Sequence, residues 1–349
     1  MFWLADLVKS KPEEPSVHET WWRSLSVQRL IEFDYYVPLH QNHFLKTTPW
    51  QEGFARIFME EPQVHKRLAR LFDDAKGIAD SPIHFYFTRS NVALGQLEFS
   101  TNWQGIRTLA RPSFGPGTQI RQKPAVDADR YEVIEGTSSA ALLKMQRAVF
   151  ASMDIPPLFP YIDVKVETSE WFEDGGVVDN LPVWFATHIE ECDLLFILPL
   201  NASFAEPVNQ TSITKRLFRV MDVRQGVLER NSLKLTYLYN ELAAARNRLI
   251  SSKGADGGAV ADGALKSTEE RLMARKLKPV SVFAICPDQP LAIGTAELWK
   301  SREAGEAFDL MYSATKFELA QHFEELADPN WIRMVLVRPQ GERVYVDNF

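Results

Sequence analysis

The chain has 349 residues, 45% of them apolar, and a formal net charge of −7. That composition supplies a substantial core, and its acidic balance removes the global basic field that nucleic-acid binding relies on. Two cysteines and seven histidines, none at ligand spacing, predict neither a disulfide framework nor a metal or cofactor site. Cys192 and Cys286 lie in apolar runs and read as buried free thiols, which points to a reducing, cytoplasmic setting. No run approaches the ~18 uninterrupted apolar residues of a spanning helix. Nine tryptophans and 22 phenylalanines leave peripheral membrane contact open.

Taken in chain order, "PEEPS" at 12–16 reads as a turn, with Ser16 placed to cap a helix over "VHETWWRSLSVQRLIEF". Trp21, Leu25 and Leu30 fall near one face of that helix. "TPWQEGFARIFMEEPQVHKRLARLFDDAKG" predicts two helices broken at Pro62 and ending near Gly77. "IHFYFTRS" (83–90) and "QLEFSTN" (96–102) predict a strand pair with a short turn around Asn91 and Gly95. The stretch 108–130 is a loop, and "YEVI" is a short strand. "SSAALLKMQRAVFASM" is a helix with Ser138 or Ser139 at its start. "DLLFILPL" (193–200) reads as a strand buried on both faces of a parallel sheet. A long helix over 220–250 follows, then a Gly/Ala/Asp-rich stretch, and the strands "VSVFAICP" and "WIRMVLVRP" flank a helix around 301–325. Helices alternating with apolar strands predict an α/β fold with a mostly parallel sheet.

One stretch concentrates the chemistry. In "WFEDGGVVDNLPV" (171–183) a strand-like segment ends on Asp174, followed by Gly175 and Gly176. Asp-Gly is a common turn pair, and Asp256-Gly257-Gly258 and Asp262-Gly263-Ala264 are instances in the Gly-rich stretch with no strand before them. Asp174 sits instead where an α/β sheet presents ligand-binding residues, beyond a strand's carboxyl end. A carboxylate placed there can orient a histidine, bind a metal or take a proton from a nucleophile.

Residues 147–183 as a unit resemble the patatin-like phospholipases. The elements in order are Ala151-Ser152, Ile155-Pro156, Phe159-Pro160, Asp174-Gly175-Gly176 and Asn180-Leu181-Pro182. Met153-Asp154 replaces the small residues usual in that family. Weaker resemblance reaches upstream to the strand pair at 83–102 and to "VHETWWRSLSVQRL". The resemblance implies a patatin-like sheet with helices on both faces and hydrolysis of acyl esters in phospholipids or other lipids. The dyad would be Ser–Asp, with Asp174 as base and Gly175, Gly176, Asn180 and Pro182 supporting the motif.

The nucleophile the resemblance calls for is not found. Of the 17 glycines only Gly136 begins a Gly-x-Ser, in Gly136-Thr137-Ser138-Ser139-Ala140, and helix capping accounts for Ser138. The Gly-rich "FGPGTQ" (114–119) follows the strand pair, and the Pro between its glycines removes an N–H that an oxyanion site needs. The expectation is therefore a patatin-like domain over 1–201, lacking its first elements, and an α+β extension over 202–349. Such a chain would be inactive by itself. The alternative is a non-catalytic protein that keeps the fold and binds lipid or a partner. Glu170, Glu173, Asp174 and Asp179 form a local acidic cluster. Glycosidase or hard-metal chemistry would need carboxylates converging from separate segments. His84 and His188 read as structural.

Overall fold

The computed structural model describes residues 6, 13–23, 32–33, 43, 45–69, 71, 83–103, 106, 131–135, 138–156, 158–165, 170–199, 213–253, 277–288, 301–327 and 332–346. The expected boundary at 201/202, the loop at 114–119, Asp256, Asp262, Leu25, Leu30 and Gly77 lie outside these residues. The chain divides into two units, Met1–Asn180 with Ile293–Glu306, and Leu181–Ala292 with Ala307–Phe349. Each is α/β, built on one mixed sheet with helices packed on it. Among the described residues no helix is long and apolar enough to cross a membrane.

In the first unit, α1 (Val17–Arg23) starts at Ser16, whose hydroxyl accepts from the Glu19 N–H at 3.0 Å. A two-stranded ribbon of β1 (Glu32–Phe33) and β2 (Leu45–Lys46) precedes α2 (Thr48–Ala55). A π-helical turn over Arg56–Glu60 carries α2 toward α3 (Pro62–Ala69), with Pro62 as the predicted break. The main sheet has five strands: β3 (Tyr86–Asn91), β4 (Gln96–Thr101), β5 (Tyr131–Val133), β6 (Ile162–Lys165) and β7 (Glu170–Asp174). Their order is β5-β4-β3-β7-β6. The helix α4 (Ser138–Ser152) packs on it through Ala141, Leu142, Met145, Ala148 and Val149, all buried at helical spacing.

This sheet differs from the expected mostly parallel one. β3 pairs antiparallel with both β4 and β7, β6 pairs antiparallel with β7, and only β4–β5 is parallel. Connection length is the reason. Four residues join β3 to β4 and four join β6 to β7, whereas a parallel crossover needs about a dozen. The β3–β4 turn closes on Gly95, at φ +61°, whose N–H donates to the Asn91 carbonyl at 2.9 Å.

Arg89 lies at the centre of this sheet with 1% exposure. Its guanidinium donates to Ser100 Oγ (2.8 Å) and Glu98 Oε2 (3.3 Å) on β4, and to Glu132 Oε2 (2.7 Å) on β5. It also stacks over the fully buried Phe172 ring of β7, 4.3 Å from the centroid. Glu98 is buried too, and its second oxygen accepts from Asn91 Nδ2 at 2.9 Å. One side chain thus ties β3 to three other strands, its neighbours β4 and β7 and the next strand β5.

In the second unit, α5 (Val183–His188) leads to β8 (Leu194–Ile197), and α6 (Ile213–Lys253) runs for 41 residues. Then come β9 (Ser281–Pro287), α7 (Ser301–Gln321, of which the part from Ala307 belongs to this unit), β10 (Ile332–Val337) and β11 (Arg343–Val346). The sheet order is β11-β10-β9-β8, with β8–β9 and β9–β10 parallel and β10–β11 antiparallel. The strand buried on both faces is β9, all seven of whose residues are buried. Val282, Ala284 and Cys286 pack with Leu233 of α6, while Phe283 and Ile285 pack with Ala314 of α7. Asn240 of α6 makes two hydrogen bonds with the Val280 backbone, accepting from its N–H (3.0 Å) and donating to its carbonyl (2.6 Å).

The expectation for "DLLFILPL" is corrected. Among the described residues β8 is the edge of the sheet, with Leu195 and Ile197 buried while Phe196 and, just after the strand, Leu198 are 53% and 62% exposed. A continuous apolar run does not separate a two-faced strand from an edge strand whose outer residues are also apolar.

Removing Arg89 would strand two carboxylates in the sheet. Arg89→Ala should therefore cost about 3–5 kcal/mol in urea unfolding, far beyond an exposed Arg on α6. A loss under about 1 kcal/mol would show that the strands hold together without it.

Candidate functional site

The site builds from the last residue of β7. Asp174 has extended backbone (φ −46°, ψ 131°) and caps a 3-10 turn over Gly175–Val177. Its Oδ1 accepts from the Gly176 N–H at 2.6 Å. No other hydrogen bond to the carboxylate occurs among the described residues, so Oδ2 is left to accept a proton. The Asp174 N–H donates to the Asp154 carbonyl (2.9 Å), and the Asp174 carbonyl accepts from the Ser90 hydroxyl (2.9 Å). The Gly175 carbonyl accepts from the N–H groups of Val178 (3.1 Å) and Asp179 (3.0 Å), which closes the turn. One carboxylate oxygen is thus held by the Gly176 N–H, while the Asp174 backbone is tied at both its N–H and its carbonyl.

Neither Gly175 nor Gly176 has positive φ. Space is what requires them. A Cβ on Gly175 would lie 2.7 Å from the Thr88 carbonyl carbon on β3, a contact that backbone cannot relieve. A Cβ on Gly176 would lie 2.6 Å from Asn180 Oδ1 and 2.9 Å from Asp174 Oδ1, both ends of side chains. The motif residues Asp174, Gly175, Gly176 and Asn180 are thus brought together. Pro182 lies in the second unit, where it precedes α5 and its carbonyl accepts from the Phe185 N–H at 3.0 Å.

Burial pushes the Asp174 carboxyl from an ordinary 3.8 up to about 6. The Gly176 N–H pulls it down and the neighbouring Glu173 charge pushes it further up. A carboxylate in that range is ionised at neutral pH and remains a competent proton acceptor. Glu173 is directed elsewhere. It is hydrogen-bonded to the Tyr161 phenol, and burial raises its own carboxyl despite that bond. Of the acidic cluster, then, Asp174 and Glu173 serve different partners, as alternation along a strand requires. Among the described residues no three His, Cys, Asp or Glu side chains are grouped to hold a metal ion. His84 stacks on Trp103 with centroids 5.1 Å apart.

The segment after α4 forms the wall behind Asp174. The N–H groups of Leu158 and Phe159 both donate to the Ile155 carbonyl, folding "IPPLFP" tightly. Phe159 packs edge-on against Trp50 (5.9 Å), which also meets Phe150 (6.4 Å). A small pocket with room for little more than a water molecule lies there, lined by Trp50, Met153, Asp154 and Phe159 among others. The Asp154 side chain is 3% exposed, so Met153-Asp154, the departure from the family pattern, is structural as well as positional. Ser138 is the first residue of α4, so the N-cap position before it, residue 137, lies outside the described residues.

Sequence reading had not singled out Thr88, Arg89 and Ser90 as support for the turn. The signal was available in the hairpin register: a four-residue turn between Asn91 and Gln96 sets Arg89 opposite Glu98, a buried ion pair on adjacent strands. No model of a known protein family matches the chain, and no curated protein matches it either. The chemistry of the site stands on its geometry.

Two outcomes follow. Between pH 3.8 and about 6 the native Asp174 holds more proton than the unfolded one. Stability should therefore fall as pH rises through that window and level off above it, by at most about 3 kcal/mol. Asp174→Asn removes the penalty, so urea unfolding should find it more stable than wild type at pH 7.5 and equal near pH 4. A variant less stable at both pH values would contradict the buried-charge account. Gly175→Ala should lower stability by about 1–3 kcal/mol, and Gly176→Ala by less. The reverse order in melting temperature would mean that the Thr88 contact does not limit the turn.

Proposed function

We infer that the chain carries the base half of a patatin-like lipid acyl ester hydrolase, with Asp174 accepting the proton of a serine nucleophile. The observation that carries this reading is the Asp174 carboxylate itself: one oxygen held by the Gly176 N–H, the other open, and its carboxyl raised to about 6 by burial. A serine attacking an ester carbonyl must lose its proton as the bond forms. A buried carboxylate can take it without a histidine. Gly176 then holds one oxygen of the base, and Asn180 packs beside it. The patatin-like arrangement of the sheet, with helices on both faces, belongs to the same proposal. The substrates it implies are phospholipids or other lipid acyl esters.

A second reading, non-catalytic lipid or partner binding, is favoured by one observation: these 349 residues contain no Gly-x-Ser-x-Gly. The two readings separate in an esterase assay. Residues 1–349 alone should neither hydrolyse short acyl esters nor react with a fluorophosphonate probe. Labelling at Ser138 would make it the nucleophile. With the reading frame upstream of Met1 included, an in-frame elbow serine should bring both turnover and labelling. Asp174→Asn should then lower kcat by about 10⁴-fold, and Asp256→Asn and Asp262→Asn should be silent. No elbow serine upstream, or activity indifferent to Asp174→Asn, would favour the binding protein.

A further inference from the structure

The helix α6 has two faces of opposite use. Leu233, Thr236, Asn240 and Ala243 are buried, at the 3–4 spacing of a packed stripe, and Asn240 is locked to Val280. On the opposite side Val220, Val223, Val227, Leu235, Leu238 and Leu242 are between 41% and 66% exposed. At 100° per residue these six fall within an arc of about 120° centred away from the sheet. They extend over about 33 Å of a helix about 60 Å long, interrupted by Arg224, Asn231 and Lys234. A helix of a soluble monomer ordinarily turns charged residues to that side.

The charge alongside the stripe narrows what would cover it. α6 holds nine Lys or Arg against three Asp or Glu, on a chain whose net charge is −7. Arg216, Arg230, Lys234 and Arg248 are exposed and run along one edge of the stripe, shared with one carboxylate, Glu241. Among the described residues none of these four is paired with a carboxylate. Toward the other edge of the stripe lie Arg224 and, beyond it, Arg246. A second copy of the chain laid helix to helix would bring basic flank against basic flank in either orientation, which is repulsive. An anionic lipid surface complements both features at once. The apolar stripe enters the acyl boundary and the basic rails meet the headgroups.

We propose that the outward face of α6 docks the protein on anionic phospholipid membranes, lying parallel to the surface. This does not rest on the hydrolase reading, because vesicle binding is measured without turnover. The full chain would be sedimented with vesicles of phosphatidylcholine alone and of phosphatidylcholine with about one third phosphatidylglycerol. Binding is expected to the anionic vesicles only, and to weaken as salt is raised. Leu235→Glu with Leu238→Glu, and separately Arg230→Ala with Lys234→Ala, should each lower partitioning by ~10-fold or more. All four positions are exposed, so melting temperatures should match wild type. No vesicle binding, equal binding to neutral vesicles, or full binding by both variants would overturn the proposal. So would a dimer in sedimentation velocity that Leu235→Glu with Leu238→Glu dissociates, which would assign the face to self-association.

Discussion

The first unit is organised around a charge that cannot reach water. Arg89 is buried to 1% exposure, and its guanidinium finds partners on β4 and β5 and the face of Phe172 on β7. A buried cation is tolerable only when its hydrogen bonds and counter-charges are in place. Each strand of the set therefore has to sit at one register, since a one-residue slip would turn Glu98 or Phe172 to the other face. Thr88 and Ser90, the neighbours of Arg89 on β3, are the residues that meet Gly175 and the Asp174 carbonyl. The ion network and the carboxylate turn are consecutive parts of one strand alignment.

That alignment accounts for the character of the turn. Asp174 stands opposite Arg89 in the β3–β7 ladder, yet the guanidinium is committed to Glu98, Glu132 and Ser100. Burial and the Glu173 charge raise the Asp174 carboxyl, and the hydrogen bond that lowers it comes from the Gly176 N–H. Had Arg89 paired with Asp174, the carboxyl would have been driven well below its ordinary range and would be a poor base. The sheet keeps the guanidinium and the Asp174 carboxylate apart by giving the cation other partners.

Much of this was legible before any coordinates. The hairpin at 83–102, the helix begun by Ser138, and Asp174 as the last residue of a strand follow from alternation, turn residues and capping. Strand direction was less legible, because alternating helices and apolar strands suggest crossovers while the short links at 92–95 and 166–169 dictate hairpins. "DLLFILPL" misled for a different reason. Its hydrophobicity was real, but edge position is a property of the sheet and not of the strand. The reason for the glycines was also hidden: backbone freedom was the natural reading, and proximity to Thr88 is a fact of tertiary packing. Pro182, two residues from Asn180 in sequence, belongs to the second unit, a separation that no local pattern encodes.

The Ser90–Asp174 hydrogen bond spans 84 positions of the chain, whereas Asn91 and Leu94 are linked across three. Closing a loop costs more entropy as it lengthens, and contacts distant in sequence form later and more slowly. The β3–β4 hairpin can assemble from its own turn. The ladder to β7 must wait until α4 and the segment behind it have been laid down. Strain or substitution at the carboxylate turn thus acts mainly on the rate of opening, leaving the early hairpin untouched. Asp174 therefore sits at the long-range seam of the sheet, between a hairpin that closes on a local turn and a strand that arrives much later in the chain.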